Sequence, residues 1–144
     1  MRTTRNDSPQ LPSGWEWKRM GDICELVYGD ALQQHVRKNG DIPVYGSNGQ
    51  IGLHNIAMTN GTTIIVGRKG SIGEVKYSDV PCWIIDTAYY VKPLVETDLK
   101  FLYNLLDILN LEKLDKSSAI PGLNRDDVYK LLIALPPSPN RAAS

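Results

Sequence analysis

A repeat between Ile42 and Lys76 constrains this chain more than any other feature. Ile42-Pro-Val-Tyr-Gly-Ser-Asn-Gly-Gln-Ile-Gly-Leu-His is followed by Thr63-Ile-Ile-Val-Gly-Arg-Lys-Gly-Ser-Ile-Gly-Glu-Val. Aligned at Gly46 and Gly67, the copies pair Gly49 with Gly70, Ile51 with Ile72 and Gly52 with Gly73, so G-x-x-G-x-I-G occurs twice, each time behind a short apolar run. Spaced glycines permit positive φ and close approach of another backbone or a ligand. Two readings stay open on this pattern alone. The copies are either two β-hairpin turns whose glycines serve only bulges and corners, or two neighbouring loops forming one edge of a binding surface.

The flanking chain predicts a single domain. With 144 residues there is enough chain for one core, and 42% hydrophobic with 22% charged residues is ordinary globular usage, which argues against disorder. No apolar run approaches the roughly 18 residues of a membrane span, and the polar N-terminus has no apolar signal segment. Cys24 and Cys82 are far apart, without a C-x-x-C partner, and read as reduced, buried thiols of a cytosolic protein. Net charge is zero, which counts against a purely electrostatic nucleic-acid binder. The charge is unevenly spread, however. Between Val36 and Lys76, Arg37, Lys38, Arg68, Lys69 and Lys76 outnumber Asp41 and Glu74, a net of +3, whereas Glu96 to Lys116 carries a net of −2.

Residues 1–10 are polar and read as a flexible tail. Trp15 and Trp17 fall on one side of an extended segment and suggest core packing. From Lys18 to Gly29 a helix is expected, with Asp22 as N-cap, Ile23, Leu26 and Val27 at i, i+3 and i+4, and Gly29 as the stop. Asp30 to Gly40 is a polar loop in which His35 reads as a surface residue. Ile42 to Val91 is strand-like, with Ile64-Ile-Val as a buried strand, a further pair of strands broken near Asp86-Thr87, and Tyr89 and Tyr90 on opposite faces. After Pro93 a helix capped by Thr97 or Asp98 carries Leu99, Leu102, Tyr103, Leu106, Ile108 and Leu109 on a wide apolar face. A polar loop from Lys116 leads to a short helix capped by Asn124, with Asp126 and Asp127 in its first turn, and Leu131 to Leu135 forms a last strand. The expected fold class is α+β: a single mixed domain whose central, largely antiparallel β region carries two Gly-rich hairpin loops and packs with a few helices. Its limits are residues 11–137, followed by a C-terminal tail over 138–144.

Most catalytic chemistry is excluded by spacing. Gly67-Arg-Lys-Gly-Ser departs from the Walker pattern, neither copy is G-x-G-x-x-G, and both lie between strand-like runs rather than ahead of a helix. Two histidines, His35 and His54, without G-x-S-x-G leave no nucleophilic triad, and no metal-ligand cluster is visible. A binding module fits better. Ser47, Asn48, Gln50, Arg68, Lys69 and Ser71 include the side chains that read base edges, and Lys116, Ser117 and Ser118 supply candidates for phosphate contacts. Solvated turn residues would look the same.

Four stretches, in order, carry a family resemblance. They are Leu11-Pro-Ser-Gly-Trp-Glu-Trp-Lys-Arg-Met-Gly-Asp-Ile, the two glycine loops, and Ala119-Ile-Pro-Gly-Leu-Asn-Arg-Asp-Asp-Val running to Leu135-Pro-Pro. The chain resembles a target recognition domain of the specificity subunit of type I restriction–modification enzymes, with Met20 in a usual leucine place. The resemblance implies a non-catalytic chain that reads one half of a split double-stranded DNA target. Its partners would be a DNA methyltransferase subunit and a restriction subunit, and a homodimer is left open. No cofactor is expected in this chain; S-adenosylmethionine, ATP and Mg would belong to the partner subunits. The implied DNA contacts are Arg37, Lys38, Tyr45, Ser47, Asn48, Gln50, Arg68, Lys69, Ser71, Lys116, Ser117 and Ser118, with Arg68 and Lys69 foremost. Gly46, Gly49, Gly52, Gly67, Gly70, Gly73 and Gly122 would shape the loops. Such subunits carry two recognition domains, and a Glu-Gln pair and a long helix follow their Leu-Pro-Pro; this chain departs on both counts. The expectation is therefore a fragment, a half-subunit or a remnant, or a domain of a fused restriction–methylation enzyme. The alternative is a truncated module that docks a methyltransferase subunit without reading DNA.

Overall fold

The structure, a computed structural model, describes residues 10–117 and 121–137. The tails expected over residues 1–10 and 138–144 lie outside these, apart from residue 10, and so does Ser118. Among the described residues nine strands and three short or medium helices follow in order: β1 (Glu16–Arg19), α1 (Met20–Ile23), β2 (Cys24–Tyr28), β3 (Ile42–Gly46), β4 (Gly49–His54), β5 (Thr63–Gly67), β6 (Val75–Ser78), β7 (Trp83–Ile84), β8 (Ala88–Pro93), α2 (Leu99–Ile108), α3 (Arg125–Tyr129) and β9 (Leu132–Leu135). Two 3-10 stretches, Gln34–Val36 and Leu111–Ser117, complete the path. The result is a mixed α/β fold with mainly antiparallel sheets, as the sequence predicts.

Three sheets result. A four-stranded sheet runs β2-β8-β5-β6, a three-stranded sheet runs β4-β3-β7, and β1 pairs with β9. Every pairing is antiparallel except β3 with β7, which joins Val44 to Trp83 and Tyr45 to Ile84 in parallel. β5 is buried along its whole length, which suits an uninterrupted β-branched run flanked on both edges by partners. Tyr89 enters the main core while Tyr90 packs on the opposite side against a smaller cluster of Ile65, Cys82, Ile84 and Ala88, as the two-residue period of β8 requires.

The main core lies between the four-stranded sheet, α1, α2 and α3, and is filled by Met20, Ile23, Leu26, Ile64, Val66, Tyr89, Leu102, Leu106, Val128 and their neighbours. The helix expected after Pro93 is α2, entered at Asp98, with Leu102 and Leu106 buried. Ile108 departs from the expected apolar face and is 76% exposed. Asn124 caps α3 as expected, its Oδ1 accepting the Asp126 amide at 2.8 Å. Both cysteines are buried and unpaired, and burial pushes the Cys24 thiol up to about 12.

Two expectations fail near the N-terminus. The predicted helix over Lys18 to Gly29 is one turn, Met20–Ile23, set between two strands. Asp22 is inside that turn, where its carboxylate accepts the Arg19 amide at 3.3 Å, rather than at its cap. The spacing of Ile23, Leu26 and Val27 matches a helix, but Cys24 and Leu26 alternate with less buried neighbours, and full backbone pairing to β8 selects the strand. The tryptophans also differ from expectation: Trp15 is half-buried and Trp17 stands 37% exposed on β1, outside both cores. Among the described residues no helix is long and apolar enough to cross a membrane.

Candidate functional site

The two glycine copies form two different tips that touch. In the first, β3 and β4 close directly: Gly46 opposes Gly49 across Ser47 and Asn48. In the second, residues 68–74 make a wider loop whose mouth is tied by Gly67 N–H to the Glu74 carbonyl at 2.8 Å and by Gly73 N–H to the Gly67 carbonyl at 2.9 Å. The Ser71 amide donates to Ser47 Oγ at 3.3 Å, and the Ser71 hydroxyl donates to Asn48 Oδ1 at 3.3 Å. Thr87, in the break between β7 and β8, fastens both tips. Its carbonyl accepts the Arg68 and Lys69 amides at 2.9 and 3.1 Å, and its hydroxyl accepts the Ser47 amide at 3.3 Å.

This arrangement sorts the expected contact residues. Asn48 and Lys69 are exposed on the joined tips, whereas Ser47 is buried and serves as the fastener between them. Gln50 is exposed on β4, its amide donating to the Gly52 carbonyl at 3.4 Å. Tyr45 packs against the smaller cluster beside Tyr90. Arg37 is half-buried below the first hairpin, where Nε donates to the Leu32 carbonyl at 3.2 Å, and the Lys38 amide donates to Nδ1 of the buried His54 at 3.0 Å. Lys116 and Ser117 fall in the 3-10 stretch Leu111–Ser117. A side chain at Gly67 would run into the Ser71 carbonyl, which explains why the second loop begins on glycine.

A cleft of about 610 Å³ opens beside the second tip, with Tyr28, Arg68, Lys69, Gly122, Asn124 and Arg125 in its walls. Tyr28 and Arg125 were not singled out from the sequence. The guanidinium carbon of Arg125 lies 4.4 Å from the Tyr28 ring centroid and that of Arg68 lies 5.3 Å from it. Arg68 donates from Nε to the Asp86 carbonyl at 2.9 Å and from Nη2 to the same oxygen, while Arg125 Nη1 donates to the Leu26 carbonyl at 3.0 Å. The wall carrying Gly122 is bound to the second tip by Leu123 N–H on the Arg68 carbonyl at 2.8 Å, and to the core by the Tyr89 hydroxyl on the Leu123 carbonyl at 2.6 Å. Burial pushes that hydroxyl up to about 12, with Tyr28 adding to the rise and Arg68 and Arg125 opposing it. Tyr28 ends β2 and Arg125 opens α3, so only the tertiary fold brings them together. Arg125 lies in the Gly-Leu-Asn-Arg-Asp-Asp run, which the sequence offers for its cap and its family resemblance and not for a contact with Tyr28.

This fold of mainly antiparallel sheets and few helices matches that of solved S subunits of type I restriction-modification systems. The family of type I restriction modification DNA specificity domains matches residues 12–141, and the chain belongs to it. Solved structures give the same fold. The S subunit of a type I restriction-modification system from M. genitalium superposes with a TM-score of 0.75 at 23% identity, covering 85% of this chain and 34% of that one. The HsdS subunit from Thermoanaerobacter tengcongensis gives 0.68 at 19% identity, covering 92% of this chain and 36% of that one. A structure described for complex assembly and conformational transition of the type I R-M system gives 0.73 at 17% identity over 92% and 37%. The chain thus spans about a third of the length of these subunits. No curated protein matches the sequence.

Proposed function

We propose that this domain reads a short double-stranded DNA sequence on behalf of a type I restriction–modification system, and that it directs methyltransferase and restriction subunits there without catalysing a step itself. S-adenosylmethionine, ATP and Mg would be held by those partners, and the setting would be cytoplasmic. The observation that carries this reading is the fastening of the two tips through Ser47, Ser71 and Thr87. Two loops locked together present Asn48 and Lys69 at a fixed spacing, and such side chains are suited to adenine and guanine edges in a major groove. Base contacts need this kind of preorganisation, since a wandering loop gives up in entropy what a hydrogen bond contributes.

Selection of bound duplexes from a randomised pool tests the reading. One short sequence should be enriched, and Asn48→Ala or Lys69→Ala should relax the preference at one base, worth about 1–3 kcal/mol of discrimination. No measurable duplex binding at low salt overturns it. If the chain then still binds a DNA methyltransferase subunit, it is a docking module instead.

A further inference from the structure

We infer that the cleft between Tyr28 and the second tip is a phosphodiester subsite, in which Arg68 and Arg125 grip one backbone phosphate of a duplex. This inference rests on the DNA-reading role proposed above and changes the part Arg68 plays in it, from reading a base to fixing the register of the duplex.

Three observations converge. First, two guanidinium groups share one aromatic ring, at 4.4 and 5.3 Å from the Tyr28 centroid. Like charges gathered on one ring repel each other, and an anion between them reverses the sign of that interaction. Second, neither arginine is in an ion pair with a carboxylate among the described residues. The pairs there are Lys18 with Glu16 and Lys76 with Glu74. Asp126 also lines the cleft, so three cationic side chains, Arg68, Lys69 and Arg125, face one carboxylate, a net of +2. Third, each guanidinium is aimed by a backbone carbonyl, that of Asp86 for Arg68 and that of Leu26 for Arg125. These bonds engage two N–H groups of Arg68 and one of Arg125, out of five donors on each. Planar forks held in this way match the oxygens of a phosphate, and the donors left over on each point to one anion rather than to solvent alone. The wall opposite is equally fixed, through Leu123 and the Tyr89 hydroxyl.

Anisotropy titrations of the full chain separate the two roles, using the duplex selected from the random pool and a scrambled duplex between about 50 and 200 mM salt. Arg125→Ala and Arg68→Ala should each weaken binding to both duplexes by the same factor and reduce the log–log salt slope by about 1. Arg125→Lys, which keeps the charge and disturbs the fold least, should hold the slope and lose only part of the affinity. Inorganic phosphate should raise the melting temperature of the wild-type chain and not that of Arg125→Ala. The subsite is overturned if the arginine variants change preference at one base with an unchanged slope, or if they bind both duplexes as the wild type does. A wild-type chain that binds neither duplex overturns the DNA-reading role. In that case phosphate stabilisation lost in Arg125→Ala would leave an anion site without that role, and its absence would overturn both.

Discussion

The two copies of G-x-x-G-x-I-G are alike in sequence and unlike in use. In the first, Gly46 and Gly49 close a tight turn, Ile51 is 44% exposed on β4 and Gly52 lies within that strand. In the second, the loop is wider, Ile72 packs against the main core and Gly73 is pressed to the start of the 3-10 stretch at Leu111–Ser117. The first copy therefore projects while the second is anchored, and the projecting one borrows its position from the anchored one through Ser47 and Ser71. A repeat motif thus specifies the corner, whereas the packing behind it decides whether that corner is rigid.

The glycines at equivalent positions break this comparison most sharply. Gly73 has φ of +81°, and a Cβ there would sit 2.7 Å from Glu112 Cα, against backbone that cannot rotate away. Gly52 has no such φ, and its added Cβ would meet the Arg37 side chain, closest at its far end, Nη1, at 2.9 Å. Gly73→Ala is expected to destabilise by about 3 kcal/mol, combining left-handed strain with a backbone clash. Gly52→Ala should stay within about 0.5 kcal/mol, since lost unfolded-state freedom offsets the small adjustment. Thermal denaturation followed by circular dichroism should show a fall of roughly 10 °C for the former and little change for the latter. Equal effects would mean that both copies are anchored alike.

The isoleucines should differ in the same direction by less. Ile72→Ala removes a side chain packed on the core and is expected to cost about 2 kcal/mol, at the low end for buried isoleucine because the site is only partly buried. Ile51→Ala, on the exposed side of β4, should cost less than about 0.5 kcal/mol. Urea unfolding midpoints at constant slope would measure both, and a large loss at Ile51 would point to packing of the first hairpin that its exposure does not suggest.

What could be read from sequence follows the range of the interactions involved. The hairpins, α2 and the Asn124 cap are set by neighbours within a few positions, and each was legible as a periodicity, a glycine or a capping residue. At β2 the sequence is misleading, because Ile23, Leu26 and Val27 satisfy helical spacing locally, while the strand pairing that overrides it comes from Ala88–Pro93. The parallel pairing of β3 with β7 left no local trace either. At the site, Asn48, Lys69 and the loop glycines were visible as a motif. Tyr28 and Arg125 were not, because their relation exists only once β2 and α3 are joined through Leu26, which accepts Arg125 Nη1 and whose amide donates to the Tyr129 hydroxyl at 2.9 Å.

The smallest effect tests the link between the copies. Ser47→Ala removes the oxygen that accepts the Ser71 amide at 3.3 Å, and a single long hydrogen bond of this kind should contribute about 1 kcal/mol or less to stability. Ser71→Ala keeps that amide and loses only the exposed hydroxyl contact to Asn48, so its stability should change by less than about 0.5 kcal/mol. The informative readout is the ratio of affinities for the selected and scrambled duplexes rather than the melting temperature. If the second tip anchors the first, Ser47→Ala should lower that ratio out of proportion to its stability cost, because Asn48 and Lys69 then no longer hold one spacing. It should also leave the salt slope nearly untouched, since no cation has been removed. An unchanged ratio would mean that Thr87 alone suffices to hold the tips together, and the comparison would reduce to two hairpins hung separately on one turn.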